Sequence, residues 1–575
     1  MWVDASHRVK PVSETGTNAQ EEVLEPQSVF AAFAASAERY PGHPLLHIPA
    51  SACVRYASGE INFTYAEAAR EIGALREAYA ASGIAQGCRV ALLLENRPEA
   101  FFHWFALNAL GASVVPVNPD YRSAELAFLL VHSEAVLAVA IAGRVADLQA
   151  AAPALRVIDA ATVRGGIDAI RQGAGNAPLD EPGLATESAR LYTSGTTGRP
   201  KGCILSNHYF LRAGRRYMTR GGYIVVEPGR ARVLTPLPMF HMNAMASTTL
   251  GMVRAGGCII QLDRFHPRTW WQDVAASRAT GIHYLGVMPA ILLGLPEVPE
   301  ERAHCVRYGT GANVEPEHHA AFEARYGFPL VEGWAMTETG SGGVISADTE
   351  PRHVGTRCFG RPSPAVEVRL VDDARRNVAE GEPGELLVRA AGEDPRRGFF
   401  SGYLKDDEAT AAGWAGGWWH SGDVARRGSD GSFFFVDRKK NVIRRSGENI
   451  SALEVETVLL RHPSIAHVGV TSVPDELRGE EVIACVVAAS GMTPDARTAQ
   501  AIVDWSLAQM AYYKVPGWVA FVDALPVTPT QKVQRGELRD AALRCLATPA
   551  CFDLRACKRR QSGEAVNGAR LDLTN

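Results

Sequence analysis

Between about residues 26 and 190, apolar positions at helical spacing alternate with short β-branched or aliphatic runs. FTYAEAAREIGALREAYAASGI predicts a strand entering an amphipathic helix, and RVALLLEN a buried strand. AFFHWFALNALGA predicts a helix and SVVPVNP the next strand, with a further helix and AVLAVAIA behind it. Strands alternating with helices of this length predict parallel βαβ units with both sheet faces covered. The rhythm continues through ARVLTPLP, GGCIIQL and GIHYLGVMP to about residue 328. From 366 to 436 the texture changes to short strands and turns (VEVRLVDD, GELLVRA, GSFFFVD), which predicts an antiparallel, β-rich subdomain. A last stretch alternates helix and strand again (ALEVETVLLRH, AHVGVTSV, VIACVVAAS, AIVDWSLAQM, AFVDALP), as a small α/β unit with its own core would. The expected fold class is therefore α/β. A loose N-terminus (1–25) precedes a large domain of parallel layers plus the β-rich subdomain (26–436). A small C-terminal domain (437–545) and an aperiodic tail without ordered structure (546–575) follow.

Composition narrows the classes. At 575 residues the chain exceeds one ordinary core, and 46% hydrophobic with 21% charged residues excludes wholesale disorder. Fifty-nine basic against 63 acidic residues give a net charge of −4, so no nucleic-acid partner is expected. The most apolar stretch, 101–117, is broken by His103, Asn108, Gly111 and Pro116, which predicts a buried helix running into a strand and no transmembrane segment. The first residues carry no apolar h-region, so no secretory signal is expected. Ten cysteines without a CxxC pair fit reduced thiols and a cytoplasmic location. Only eight of the basic residues are lysines, so a lysine inside a loop is more noticeable here than usual.

One such lysine lies in Leu191-Tyr-Thr-Ser-Gly-Thr-Thr-Gly-Arg-Pro-Lys-Gly202. Glycines let backbone N–H groups turn inward, the hydroxyls of Thr193, Ser194, Thr196 and Thr197 add donors, and Lys201 supplies charge. Together they make a polyphosphate cradle. A flexible linker is the competing reading, but linkers rarely set Gly195, Gly198 and Gly202 around a lysine between strand-forming flanks. The loop is not a Walker A motif: counting from Gly195, the second glycine position falls on Pro200, and Gly202 follows the lysine. That disfavours an ordinary P-loop kinase or ATPase.

At this loop the chain resembles the acyl-adenylate-forming superfamily of acyl-CoA synthetases, adenylation domains and luciferases. The superfamily's other boxes follow in order. They are Pro238-Met-Phe-His241-Met-Asn-Ala, Gly309-Thr-Gly-Ala-Asn313, Gly333-Trp-Ala-Met-Thr-Glu338 and His420-Ser-Gly-Asp423. After them come Asp437-Arg-Lys-Lys-Asn-Val-Ile-Arg-Arg-Ser-Gly-Glu-Asn-Ile450 and Pro526-Val-Thr-Pro-Thr-Gln-Lys532. SGENISALEVE and YYKVPGWVAFVDALPVTPTQKVQR look most like the carnitine/crotonobetaine–CoA ligase-like bacterial branch. Three departures stand out: Trp334-Ala335 for the commoner Tyr-Gly, Asn313 for a usual proline, and Gln531 for the glycine before the lysine.

The resemblance implies a fold of two hinged domains and an activity. ATP and a carboxylic acid give acyl-AMP and pyrophosphate, and the thiol of coenzyme A then displaces AMP. It also implies the site. Thr193 to Gly198 and Lys201 would hold the phosphates. Gly311, Ala312, Asn313, Trp334, Asp423 and Arg438 would hold adenosine. Thr337 would face the α-phosphate, and Glu338 is an oxygen ligand suited to Mg²⁺. His241, Met242, Asn243 and Gly309 would border the acyl pocket, with His241 counted among the catalytic groups beside Lys532, Thr337 and Glu338. Arg444, Arg445, Ser446, Gly447 and Glu448 would meet CoA, and Asp437 would be the hinge. Read alone, several of these are blander: Thr337-Glu338 as a helix cap, Trp334 as core, Asp423 as a turn charge, and Arg444-Arg445 as a solvated charge run. His318, His319 and Glu323 lack metal-site spacing and read as a solvated helix face. Expected partners are a small carboxylic acid, ATP and CoA, and a homodimer is compatible with the reading. The rivals are an adenylation enzyme loading a carrier protein, an ATPase or kinase of another class, and a non-catalytic nucleotide-binding relative.

Overall fold

The computed structural model describes residues 25–121, 123–168, 181–193, 200–438, 442–445, 448–475, 478–510, 512–527 and 533–558. Among them the strands form four sheets. In the first, Ser113–Pro116, Arg89–Leu93, Leu137–Ala140 and Val157–Asp159 pair in parallel, and Glu187–Thr193 joins beside Ser113–Pro116. The second has a parallel centre that includes Arg232–Thr235, Gly281–His283, Tyr308–Gly311 and Leu330–Trp334. The third is five-stranded and antiparallel, and the fourth belongs to the C-terminal unit. The parallel layers, β-rich subdomain and small α/β domain expected from the patterning are all present.

The helix Pro98–Ala109 shows how sequence positions these layers. Proline opens it, where its missing N–H costs nothing, and PEAFFHWFALNA is apolar nearly all round, so the helix is buried nearly all round. Its polar exceptions have partners. His103 Nδ1 lies 2.5 Å from the Tyr79 hydroxyl, and Asn108 Nδ2 donates to Ser188 Oγ and Asn207 Oδ1 at 3.0 and 2.8 Å. Thr64 and Glu67 form a capping box that starts the helix Tyr65–Ala81. The crossing of helices Asn207–Met218 and Leu250–Ala255 is close because both present glycine there. A Cβ on Gly214 would sit 2.5 Å from Leu250 Cβ, and one on Gly251 2.6 Å from Tyr217 Cδ1.

Two expectations about the chain's ends change. Glu25, assigned to the loose N-terminus, is bound by Arg215 and Arg254 at 3.0 and 2.9 Å. The tail is ordered further than periodicity shows: Cys551–Asp553 adds a strand beside Trp518–Phe521, and Lys558 is buried. Three residues are too few to show a period, so the pattern carried no sign of this strand. No helix among the described residues is long and apolar enough to cross a membrane.

Candidate functional site

Two strand ends and a bulge meet where adenosine was expected. Trp334 closes the strand Leu330–Trp334, and its indole Nε1–H donates to Asp423 Oδ2 at 2.8 Å. Asp423 sits in Trp419–Arg427 just after Gly422, whose φ of 69° is the left-handed conformation that glycine tolerates, and its N–H donates to Ser421 Oγ. Across the sheet Asp423 pairs with Arg438, whose Nε lies 3.4 Å from Asp423 Oδ1. Three boxes that are distant in sequence therefore converge on one buried carboxylate.

The glycine turn lies alongside. Gly311 ends Tyr308–Gly311, and a Cβ there would fall 2.3 Å from Tyr284 O. Asn313 takes φ 64°, which asparagine tolerates far better than a β-branched residue would. The next N–H, of Val314, donates to Glu332 Oε1 at 2.8 Å, and burial pushes the Glu332 carboxyl above its ordinary value. At Gly309, expected at the acyl pocket, an added Cβ would lie 2.7 Å from Leu330 Cδ2.

On the phosphate side, Thr193 and Lys201 pair across antiparallel strands, and the loop between them, Ser194 to Gly198 included, lies outside the described residues. Lys201 Nζ is 3.3 Å from Asp406 Oδ2 and 4.7 Å from the centre of the Tyr403 ring. The Tyr403 hydroxyl donates to Glu338 Oε1 at 2.8 Å, and burial followed by the Glu338 charge pushes that phenol up. The carbonyl of Thr337 accepts from Tyr209 at 2.9 Å. Lys201, Tyr403 and Glu338 thus form one chain. Among the described residues no group of three or more His, Cys, Asp or Glu side chains could hold a metal. A single buried carboxylate suits a cation held mainly by phosphate and water, as Mg²⁺ usually is.

The acyl-side box runs into a π-helix, Asn243–Thr249. His241 is exposed, its ring 4.7 Å from that of Phe240. The box lies between two cavities. Met239, Phe240 and Met245 face an apolar one of about 350 Å³ that includes Trp104 and Leu92. Met242 faces a second, of about 290 Å³, lined also by Arg216 and Arg220.

One CoA assignment is corrected. Arg445 is 1% exposed, its Nε 2.9 and 2.8 Å from the two oxygens of fully buried Glu481, which also accepts from Lys558 Nζ at 2.5 Å. A guanidinium so placed braces the C-terminal core and does not reach a CoA phosphate. The charge run could not reveal this, because Glu481 and Lys558 lie far along the chain. Arg444 and Glu448 lie on paired strands, Val442–Arg445 and Glu448–Ser451. Ser446, Gly447 and Lys532 lie outside the described residues. Asp437 is buried: Oδ1 accepts from Arg438 N at 2.6 Å and Oδ2 from Leu453 N at 3.1 Å. Its pairing with Val424 keeps it, and Arg438 after it, on the sheet of the large domain. Sequence reasoning missed Tyr403, Asp406, Tyr209, Arg216 and Arg220, none of which sits in a box; only tertiary contact marks them.

The family model described as AMP-binding enzyme matches residues 33–404, and the AMP-binding enzyme C-terminal domain matches 454–532. The chain belongs to the AMP-binding enzyme family. A crotonobetaine/carnitine–CoA ligase of Citrobacter koseri is 32% identical over 502 residues, covering 83% of this chain and 93% of that protein. A sulfoacetate–CoA ligase of Cupriavidus necator is 31% identical over 542 residues, covering 91% and 100%. Among solved structures, ATP-bound MatB of Rhodopseudomonas palustris superposes with a TM-score of 0.74 at 24% identity, over 89% of this chain and 98% of that one. The o-succinylbenzoate CoA synthetase of Bacillus subtilis, with its acyl-adenylate intermediate, gives 0.73 at 24%, over 88% and 98%. These two carry the fold. The chain is an ATP-dependent acyl-CoA ligase, with ATP and CoA as substrates.

Proposed function

We propose that the two half-reactions are carried by the site residues that the sequence boxes name, in a cytoplasmic enzyme whose ten cysteines are all free. Adenosine lies against Trp334, with Asp423 accepting from the ribose hydroxyls and Arg438 beside them. Thr193, Lys201 and the loop between them hold the β- and γ-phosphates. The carboxylate of the acid enters past His241, Met242 and Asn243 and attacks the α-phosphorus in line, and pyrophosphate leaves. Negative charge grows on the α-phosphate oxygens in that step, where the Thr337 hydroxyl and the Lys532 ammonium stabilise it. Glu338 holds Mg²⁺, which would neutralise charge on the phosphates. In the second half-reaction the CoA thiol approaches along Gly447, forms the thioester and releases AMP. Arg445 has no part in holding CoA.

The observation that carries this reading is the convergence of Trp334, Asp423 and Arg438 on one point. ATP–pyrophosphate exchange tests it. Asp423→Ala should raise KM for ATP by roughly ten-fold or more and leave KM for the acid within a few-fold. Equal damage to both constants would make Asp423 structural. The acid itself stays open, since the relatives' names join a quaternary ammonium acid and a sulfonate.

A further inference from the structure

The chamber beside the acyl-side box has two guanidiniums and no carboxylate in its lining. It is lined by Met242 and Ser247 from the box and its π-helix, by Arg216, Tyr217 and Arg220 from the helix Asn207–Met218 and the turn after it, and by Ser341. Hydrogen bonds fix both guanidiniums. Arg216 donates to Val344 O at 2.8 Å and Ser363 Oγ at 3.3 Å, and Arg220 donates to Thr310 Oγ1 at 3.3 Å and to Ser346 Oγ. Neither is thereby neutralised. The carboxylate that faces them is Asp348, 3.6 Å from Arg220 Nε, leaving two cations for one anion. Arg212, on the same helix, adds further repulsion. The Nε–H of Arg216, that of Arg220 and the Ser341 hydroxyl are all buried without a hydrogen-bond partner.

Two buried guanidiniums held close together are costly unless something offsets them. Burial, and after it Arg220, brings the Arg216 guanidinium down to about 10. Rigid donors, unspent N–H groups and a net positive charge are what a planar or tetrahedral oxyanion requires. A neutral alkyl tail would leave all of them unmatched, and a cationic tail would be repelled.

We propose that this chamber selects acids bearing a second, anionic group, a carboxylate or sulfonate at the end remote from the reacting carboxylate, with Arg216 and Arg220 as its specificity determinants. The inference deepens the ligase reading and rests on Met242 bordering the acyl pocket.

The test is ATP–pyrophosphate exchange on the intact enzyme with size-matched acids: succinate against butanoate, glutarate against pentanoate, plus 3-sulfopropanoate and 4-(trimethylammonio)butanoate. Anionic acids should exceed their neutral partners in kcat/KM by roughly ten- to a hundred-fold, the worth of one or two charge-assisted hydrogen bonds. The cationic acid should be the poorest. In Arg216→Met the anionic-to-neutral ratio should fall toward one, and Arg216→Lys, which keeps charge without the fork, should fall between. The wild-type ranking needs no variant, so a misfolded mutant does not rescue the proposal. Preference for butanoate, pentanoate or the ammonium acid overturns it and leaves the ligase reading intact. An unchanged ratio in a well-folded Arg216→Met also overturns it. If no acid supports exchange but glutarate still raises the melting temperature in an Arg216-dependent way, the ligase reading fails and the chamber's specificity stands. Silence in both assays overturns both.

Discussion

Glu338 and its neighbours show what a single residue owes to its surroundings. The carboxylate is 6% exposed, and the Tyr403 hydroxyl fixes one of its oxygens beside the Lys201 strand. A metal-binding carboxylate depends on such partners for its aim, and losing one typically costs about ten- to a hundred-fold in affinity or activity. Tyr403→Phe should therefore raise the Mg²⁺ concentration needed for half-maximal pyrophosphate exchange several-fold, with KM for the acid little changed. A Mg²⁺ titration that superposes on wild type would assign Tyr403 to packing alone. Glu338 was legible in the sequence through the box Gly333–Glu338, which carries part of the family resemblance. Tyr403 was not, since it meets Glu338 across a sequence separation of 65 residues. The same distinction separates Trp334, found through its box, from Arg216 and Arg220, which meet the acyl-side segment only through tertiary contact.

At the scale of elements, the apolar run at 101–117 predicts a buried helix and strand, and Pro98–Ala109 followed by Ser113–Pro116 are those elements. Polar residues inside such a helix have consequences that periodicity does not reveal. Burial keeps His103 neutral, lowering its pKa from 6.5 to about 3, and burial followed by the Arg220 charge does the same for His283, which bridges Tyr217 and Thr248. The unfolded chain takes up these protons first, so the unfolded state gains them as pH falls below 6.5. Each histidine's contribution is intact above that value and is lost progressively down to about 3. The expected slope is about 1.4 kcal/mol per pH unit for each group over that window. His103→Gln keeps a partner for Tyr79 and cannot titrate. Denaturant unfolding at pH 7 and pH 5 should show a smaller loss in the variant, and parallel losses would mean that His103 does not couple to folding.

For the whole molecule, the division into a large and a small domain was legible because each has its own periodic core. The end of the small one was not, because Arg445, Glu481 and Lys558 form their buried cluster from three distant segments. The same unit carries both Lys532 and Gly447, to which the proposed function gives different half-reactions. On that proposal a single rigid docking can hardly present both, and the unit would turn about the residues beside Asp437. Beside the bond from Leu453 N to Asp437, the docking seen here is made by a few polar contacts. Arg357 donates to Thr457 Oγ1 at 2.9 Å and to Glu315 Oε2 at 2.7 Å, and Arg461 lies 3.6 Å from Glu317 with both side chains substantially exposed. An exposed pair such as Arg461–Glu317 contributes about 0–1 kcal/mol, enough to bias two orientations without locking either. Arg357→Ala removes one of the contacts that join the helix Ala452–Leu459 to the large domain and touches no proposed ligand. It should shift the balance between orientations, changing the rate of one half-reaction several-fold and the other in the opposite direction or not at all. Pyrophosphate exchange reports the first step, and thioester formation from supplied acyl-adenylate reports the second. Equal changes in both would show that this contact belongs to neither orientation in particular, and that the pivot is biased from elsewhere.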